Sequence, residues 1–155
     1  MIPTTKKILL ACDLSTSWEY ALAYAIYTSQ KYNAELVLLH VIEPIADGTR
    51  MWMDLYVSKQ RVEDVLHNYK KRATAMIQEK IKQYVQDTTA QLKFDVILEE
   101  GYPADVILSK IDELNCDLII MGNHGKGHMT YAFLGSVAER VVRRVKKPIL
   151  IVPHP

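Results

Sequence analysis

Short apolar runs alternate along the chain with segments in which apolar residues recur every three or four positions. Three of the runs have almost continuous apolar centres, rich in Val, Ile and Leu. Such centres are typical of strands that are buried on both faces of a parallel sheet. The five predicted strands are Lys7–Asp13, Glu35–Val41, Phe94–Glu100, Asp117–Gly122 and Pro148–Val152.

Between these strands, four segments carry an apolar stripe at helical spacing. The stripes run from Trp18 to Ile26, from Val62 to Tyr84, from Ile107 to Leu114 and from Val137 to Val145. Because strand and helix alternate four times before a fifth strand, the pattern predicts an α/β fold with a parallel sheet and right-handed crossovers. The last helix has the clearest boundaries: Ser136 is its predicted N-cap, and basic residues and Pro148 follow its end.

One segment, Ile42–Gln60, is longer than an ordinary connection between a strand and a helix. It is rich in Met and aromatic residues. Two interpretations fit this composition. The segment forms a lid or an interaction surface, or its side chains cover the end of the long second helix.

Composition narrows the class of protein. A length of 155 residues fits one domain, residues 1–155, with a substantial core. The net charge of +1 argues against a nucleic-acid-binding surface, which needs a clear basic excess. No apolar run reaches the roughly 20 residues that a membrane span requires, and the N-terminus lacks the pattern of a signal peptide. We therefore expect a cytoplasmic protein.

Asp13 is the first candidate functional residue, because it comes where the first strand ends. Ligands of open parallel sheets bind at the carboxyl ends of the strands, and a carboxylate there can accept hydrogen bonds from ribose hydroxyls. The alternative role for Asp13 is a helix cap. Ser15 or Ser17 can already fill that role, so a cap does not require Asp13.

A glycine-rich stretch after the fourth strand is the second candidate site. It lacks the P-loop pattern, since Lys126 is followed by Gly127, and it lacks the glycine spacing of dinucleotide-binding proteins. Gly122, Gly125 and the pair Gly135-Ser136 nevertheless allow backbone amides to approach an anion at the start of a helix. The alternative is a long surface loop with glycines at its turns.

The stretch "MGNHGKGHMTYAFLGSVAERV" has the spacing Gly-x2-Gly-x9-Gly-Ser and resembles the nucleotide-binding signature of the universal stress protein family. The segments "LLACDLSTSWEYAL", "LVLLHVIEP" and "KKPILIVP" resemble other parts of that family, so the resemblance spans essentially the whole chain. It implies a Rossmann-like sheet, similar to that of adenine nucleotide alpha hydrolases, with strand order 3-2-1-4-5 and helices on both faces.

The resemblance also implies the ligand and its contacts. In the ATP-binding branch the Asp that ends the first strand holds the ribose, and backbone after the second strand meets the adenine. The glycine loop holds the phosphates, and Mg²⁺ can accompany them. Met121 and Lys126 flank these glycines, and the Lys126 ammonium is within reach of the phosphate tail. The predicted nucleotide-binding residues are Asp13, Val41, Met121, Gly122, Gly125, Lys126, Gly135, Ser136 and Val137.

The remaining cysteines and histidines have structural interpretations. In the implied strand order Cys12 and Cys116 lie near opposite ends of neighbouring strands, too far apart for a disulfide, so we expect two reduced thiols. His124 and His128 lie four apart on a loop without a third ligand nearby, so we expect no metal site. His40 lies within the second strand and is expected to be a hydrogen-bonded core residue.

The sequence therefore predicts an ATP-binding universal stress protein that acts as a nucleotide-dependent stress sensor or switch. We find no base positioned to activate water, so we expect no dedicated catalysis and at most slow ATP hydrolysis. The alternatives are a slow ATPase or autophosphorylating phosphotransferase, and a dimeric scaffold with a structural nucleotide. The family resemblance further implies a homodimer through Pro148–Val152, an apolar edge strand that is exposed unless it is paired.

Overall fold

The computed structural model describes residues 3–15, 18–85, 91–123 and 134–154. Within them, strands and helices alternate as the hydrophobic pattern predicts, with one additional short helix after the second strand. The elements are β1 Lys7–Cys12, α1 Trp18–Tyr32, β2 Glu35–Ile42, α2 Asp47–Tyr56, α3 Lys59–Val85, β3 Phe94–Glu100, α4 Pro103–Glu113, β4 Leu118–Gly122, α5 Ser136–Arg144 and β5 Ile149–Val152.

The five strands form one sheet in the order β3-β2-β1-β4-β5, and every neighbouring pair is parallel. The predicted strand order is confirmed. Ile8 of β1 pairs with Leu36 of β2 on one side and with Leu118 of β4 on the other. The chain therefore reverses its direction of winding between β1 and β4, and the carboxyl ends of these two strands frame the crevice in which ligands of such sheets bind.

Apolar side chains fill a layer on each face of the sheet, as the prediction of helices on both faces requires. Ile8 and Leu10 of β1 pack toward α1 and α3, whereas Leu9 packs toward α4 and α5. This alternation follows from the two-residue repeat of a strand. The central strands are thus buried on both faces, which explains their unbroken apolar sequences.

Only part of the apolar stripe on α3 is buried. Ala73, Ile77 and Ile81 pack into the core, but Val65, near the start of the helix, is 64% exposed. The helix predicted from the stripe between Val62 and Tyr84 is confirmed, but the stripe is not buried along its whole length. With 27 residues α3 is about 40 Å long, whereas the eight residues of β2 span about 26 Å, so the helix extends beyond the sheet. No described helix is long and apolar enough to cross a membrane.

The segment Ile42–Gln60 contains α2, a helix that buries none of its residues. Four of its five large apolar side chains are each more than half exposed, namely Met51, Trp52, Leu55 and Tyr56. The interpretation in which these side chains cover the end of the long helix is therefore wrong for these four. Their possible role as a lid or an interaction surface stays a prediction.

Cys12 and Cys116 are both reduced, as predicted, and the structure buries both. Cys116 lies two residues before Leu118, the partner of Ile8, so it is about 20 Å along the strands from Cys12. Burial raises the pKa of the Cys116 thiol to about 11, because the apolar surroundings disfavour the thiolate. The Cys116 side chain is therefore a protonated core residue at neutral pH.

Candidate functional site

The carboxyl ends of β1, β2 and β4 bring three of the predicted site residues to one edge of the sheet. Cys12 pairs with His40, and Ala11 pairs with Met121. Asp13, Val41 and Gly122 each follow one of these paired residues directly along the chain. They therefore surround the crevice between β1 and β4, although Asp13 and Gly122 are more than 100 residues apart in the sequence.

The two carboxylate oxygens of Asp13 have different environments. Oδ1 accepts hydrogen bonds from the backbone N–H and the hydroxyl of Ser15, at 3.0 Å and 2.6 Å. Oδ2 is buried and accepts no hydrogen bond from the described residues. A buried charged acceptor without a partner costs at least about 1–3 kcal/mol, so the structure holds an oxygen that a ligand hydroxyl can satisfy. This fits ribose binding, whereas the alternative role as a cap would direct the carboxylate to helix amides. Ser17 lies outside the described residues.

Leu14, the residue after Asp13, adopts the left-handed conformation with φ of 60°. Asn33 and Asn115 also have positive φ, but asparagine tolerates this region far better than leucine does. Strained backbone of this kind costs about 1–3 kcal/mol and is concentrated at functional sites. The Leu14 side chain packs against the layer under α1, which holds the turn in place. No sequence signal predicts this turn, because leucine is not a typical residue for it.

Val41 presents its backbone to the β1 side of β2. Glu35 donates its N–H to Lys6 just before β1, whereas Ile42 accepts from Gly101 just after β3. The backbone N–H and C=O groups of successive residues in a parallel strand point alternately toward the two neighbouring strands. Those of Val41 therefore point toward β1, like those of Glu35. Its carbonyl lies beyond the last β1–β2 pair, Cys12 and His40, and so faces the crevice.

The glycine-rich loop leaves the sheet and returns to it at the same place. Gly135 donates its N–H to the carbonyl of Asn123, at 2.7 Å. Asn123 donates its own N–H to Val152, and its side-chain oxygen accepts from the N–H of His154, at 3.2 Å. Asn123 therefore joins β4, the loop end and the segment after β5. Sequence analysis did not select Asn123; its position directly after a strand, between two signature glycines, was the available signal.

Helix α5 begins beside the end of β4 and carries no side-chain cap. Gly135 is its N-cap, with φ −61° and ψ 153°, and no described side chain bonds to the first-turn amides. The prediction of Ser136 as N-cap was wrong by one position, since Ser136 is the first helical residue. The N–H groups of Ser136, Val137 and Ala138 have no acceptor within the helix. They and the positive end of the helix dipole can receive an anion at this edge.

Met121 contributes differently from the other predicted residues. Its side chain is 5% exposed and packs in the layer under α4 and α5. Only its backbone is available at the edge of the sheet. Gly125, Lys126, His124 and His128 lie outside the described residues. Across residues 3–15, 18–85, 91–123 and 134–154, no three His, Cys, Asp or Glu side chains cluster as metal ligands would.

His40 is a buried, hydrogen-bonded residue, as predicted, and it connects the site to α3. Its Nδ1 lies 2.8 Å from the carbonyl oxygen of Cys12, and its Nε2 lies 2.8 Å from the hydroxyl of Tyr69. Burial raises the pKa of the Tyr69 hydroxyl, and the nearby Cys12 acts in the same direction. Sequence analysis did not find the link to Tyr69, which comes from a helix 29 residues further along the chain.

The comparisons with known proteins agree with this geometry. The model of the universal stress protein family matches residues 4–153. A universal stress protein of Thermus aquaticus is 33% identical over 147 residues, which are 95% of this chain and 98% of the relative.

Solved structures give the same result. Protein MJ0577 of Methanocaldococcus jannaschii superimposes with a TM-score of 0.76 at 30% identity, over 99% of both chains. Two more distant structures share the fold. A universal stress protein in complex with cAMP has a TM-score of 0.63 at 22% identity, over 97% of this chain and 98% of the other. A universal stress protein of Archaeoglobus fulgidus in complex with dAMP has a TM-score of 0.59 at 18% identity, over 97% of this chain and 98% of the other. This chain belongs to the universal stress protein family.

Proposed function

We propose that this chain is an ATP-binding universal stress protein and acts as a nucleotide-dependent stress sensor or switch. One observation carries the proposal: Asp13 holds a buried carboxylate oxygen without a partner among the described residues, at the strand end where the winding reverses. A ribose hydroxyl supplies the missing donor. Ser15 holds the other oxygen, so the carboxylate is already oriented for this contact.

The other parts of a nucleotide have partners along the same edge. The first-turn amides of α5, from Ser136 and Val137, would hold phosphate oxygens together with Gly122 and Gly135. The backbone of Val41 would meet the adenine. Gly125 and Lys126 complete the proposed phosphate site on sequence grounds. The relatives solved with cAMP and dAMP support an adenine nucleotide as the ligand class.

Mg²⁺ is proposed as a companion of the phosphates. Magnesium usually binds substrate phosphates with only one or two protein carboxylates. When bound, it neutralises phosphate charge, while the residues of this chain orient the nucleotide.

A sensor is favoured over an enzyme by the contacts of the two carboxylates that sequence analysis weighed for catalysis, Asp13 and Glu139. Oδ1 of Asp13 is engaged by Ser15, and Glu139, in the first turn of α5, forms an ion pair with Arg143 at 2.8 Å. Hydrolysis needs a residue that orients water against the terminal phosphate, and neither carboxylate is placed for that role. Slow hydrolysis or autophosphorylation, and a purely structural nucleotide, are the competing outcomes.

Calorimetric titration of ATP into nucleotide-free protein tests the proposal. We expect saturable binding with one site per chain, and denaturation of freshly purified protein should release a nucleotide whose mass identifies it. Absence of ATP binding would refute the proposal. Incubation with labelled ATP then separates the classes, because sustained multiple turnovers would favour the ATPase.

A homodimer through Pro148–Val152 is part of the proposal. β5 is an outermost strand of the sheet, with a neighbouring strand on one side only, and its residue Leu150 is 36% exposed. An apolar edge strand is a template for pairing with a second copy. Light scattering after size exclusion should give twice the chain mass at micromolar concentration, and a monomer would contradict the dimer.

We also propose that residues 1–155 form one domain, and the cytoplasmic location stays a prediction.

A further inference from the structure

Three groups form a continuous hydrogen-bonded chain from α3 to the end of β1. The Cys12 carbonyl can only accept, so Nδ1 of His40 must carry the proton and donate to it. The other nitrogen of a neutral imidazole is an acceptor. The Tyr69 hydroxyl therefore donates to Nε2 of His40. His40 is only 1% exposed, so these partners, and not water, determine its tautomer.

The position of Tyr69 explains why this contact can act on the site. Tyr69 is 40% exposed as a residue, yet its hydroxyl reaches the buried His40, so the ring bridges surface and core. It lies one turn before Ala73, where α3 becomes buried in the core. The long helix is therefore attached to β2 at the point where its exposed N-terminal part gives way to the part that packs on the sheet.

The Cys12 carbonyl belongs to the same planar peptide unit as the nitrogen of Asp13. Cys12 is the last residue of β1, and the left-handed Leu14 follows immediately after Asp13. Asp13 thus stands between the end of the sheet and a strained turn. A hydrogen bond that fixes the Cys12 carbonyl therefore also fixes the orientation of the Asp13 N–H.

We propose that His40 and Tyr69 are positioning residues of the nucleotide site: together they hold the peptide unit that places Asp13. The inference rests on the proposed ATP binding, in which Asp13 holds the ribose. His40 and Tyr69 act through Cys12 and Asp13, so their removal weakens binding without removing a ligand contact.

The first test is the tautomer of His40 in nucleotide-free protein. Nitrogen-15 chemical shifts of the ring should show the proton on Nδ1 in the wild type. In Tyr69→Phe, which removes only the hydroxyl, the Nε2 signal should move because this acceptor loses its donor, while the proton stays on Nδ1. A proton on Nε2 in the wild type, or unchanged shifts in Tyr69→Phe, would overturn the proposal.

The second test is ATP affinity, with Tyr84→Phe as the matched control. Tyr84 lies on the same helix about four turns further on and is 37% exposed. Loss of one positioning hydrogen bond should weaken ATP binding about three- to tenfold in Tyr69→Phe. Tyr84→Phe should bind like the wild type. Equal affinities for both variants would overturn the proposal.

Two substitutions of His40 separate the hydrogen bond from packing. His40→Asn keeps an N–H donor at the δ position, whereas His40→Leu fills similar space without a donor. We expect His40→Asn to retain more affinity than His40→Leu by at least about threefold. Equal losses in the two variants would refute the positioning role. If the wild type binds no ATP, the proposed function fails; if it binds and these variants do not differ, only this inference fails.

Discussion

Two aspartates at opposite edges of the sheet show how the same side chain can support the fold or await a ligand. Asp117 precedes β4, and its Oδ2 accepts the backbone N–H groups of Lys6 and Lys7, at 2.8 Å and 3.0 Å, where β1 begins. Asp13 follows β1 at the other edge. One of its oxygens is bonded by Ser15, and the other is buried without a partner among the described residues.

The difference concerns where each carboxylate finds its donors. Asp117 is satisfied by neighbouring backbone, so its contribution is complete in the folded chain. Asp13 has an acceptor without a partner among the described residues, next to the strained turn at Leu14 and at the end of the sheet where α5 begins. Proteins tolerate such local costs mainly where binding needs them. A carboxylate with an unmet acceptor at a strand end is therefore a stronger sign of function than a carboxylate alone.

Removal of the Asp13 carboxylate should have the largest effect on binding. We expect Asp13→Ala to weaken ATP binding about ten- to a hundredfold, because hydrogen bonds to charged groups contribute about 1.5–3 kcal/mol. Calorimetric titration measures this change. Asp117→Ala is the matched control at the other edge, and its affinity should stay within about twofold of the wild type. Equal losses in both variants would remove the distinction between the two edges.

Stability without nucleotide should show the opposite order. Asp117→Ala should lower the free energy of unfolding by about 1–3 kcal/mol, since two backbone donors lose a charged acceptor. Asp13→Asn should cause no loss, because it replaces a partly unpaired buried charge with a neutral group of the same shape. Urea denaturation of the nucleotide-free proteins measures both. A clear loss in Asp13→Asn would show that Asp13 also supports the fold.

The Asp117 contribution should depend on pH. The Lys6 N–H donor is the main cause that lowers the pKa of this carboxyl, and the Lys7 donor adds to it, while burial acts in the opposite direction. The stabilisation is therefore complete above the unfolded pKa of about 4 and is lost as pH falls through the lower folded value. The difference in unfolding free energy between wild type and Asp117→Asn should shrink below about pH 4. A difference that persists at lower pH would contradict this cause.

The smallest effect is expected from the group that orients Asp13. Ser15→Ala removes one of two donors to Oδ1 and leaves the backbone N–H in place. ATP affinity should fall about two- to tenfold, because a single hydrogen bond typically contributes about 0.5–1.5 kcal/mol. Titration under the conditions used for Asp13→Ala gives the comparison. A loss as large as that of Asp13→Ala would mean that Ser15 itself contacts the nucleotide.

The fold could be predicted because buried parallel strands leave unbroken apolar runs, and the family resemblance implied the order of the strands. Which part of a helix is buried could not be predicted in the same way. Apolar periodicity continues through α3, but it does not reveal where the sheet beneath the helix ends, so it does not show that Val65 is exposed. Similarly, a Gly-Ser pair marks a helix start without determining which residue is the cap.

Some features of the candidate site could be predicted from the sequence, and others could not. Residue type and position were enough to select Asp13 at a strand end and the glycines before α5. Features that arise only from folding could not be selected. The left-handed Leu14 depends on the turn that the fold imposes, and the contact between His40 and Tyr69 joins elements that are distant in sequence.

The most direct test of the central claim is an ATP titration followed by backbone amide NMR. We predict saturable shifts for Gly122, Ser136 and Val137, at the carboxyl edge of the sheet, while Lys6 and Lys7 at the opposite edge stay unchanged. Binding that leaves the first turn of α5 unchanged, or no saturable shift at all, would contradict the account.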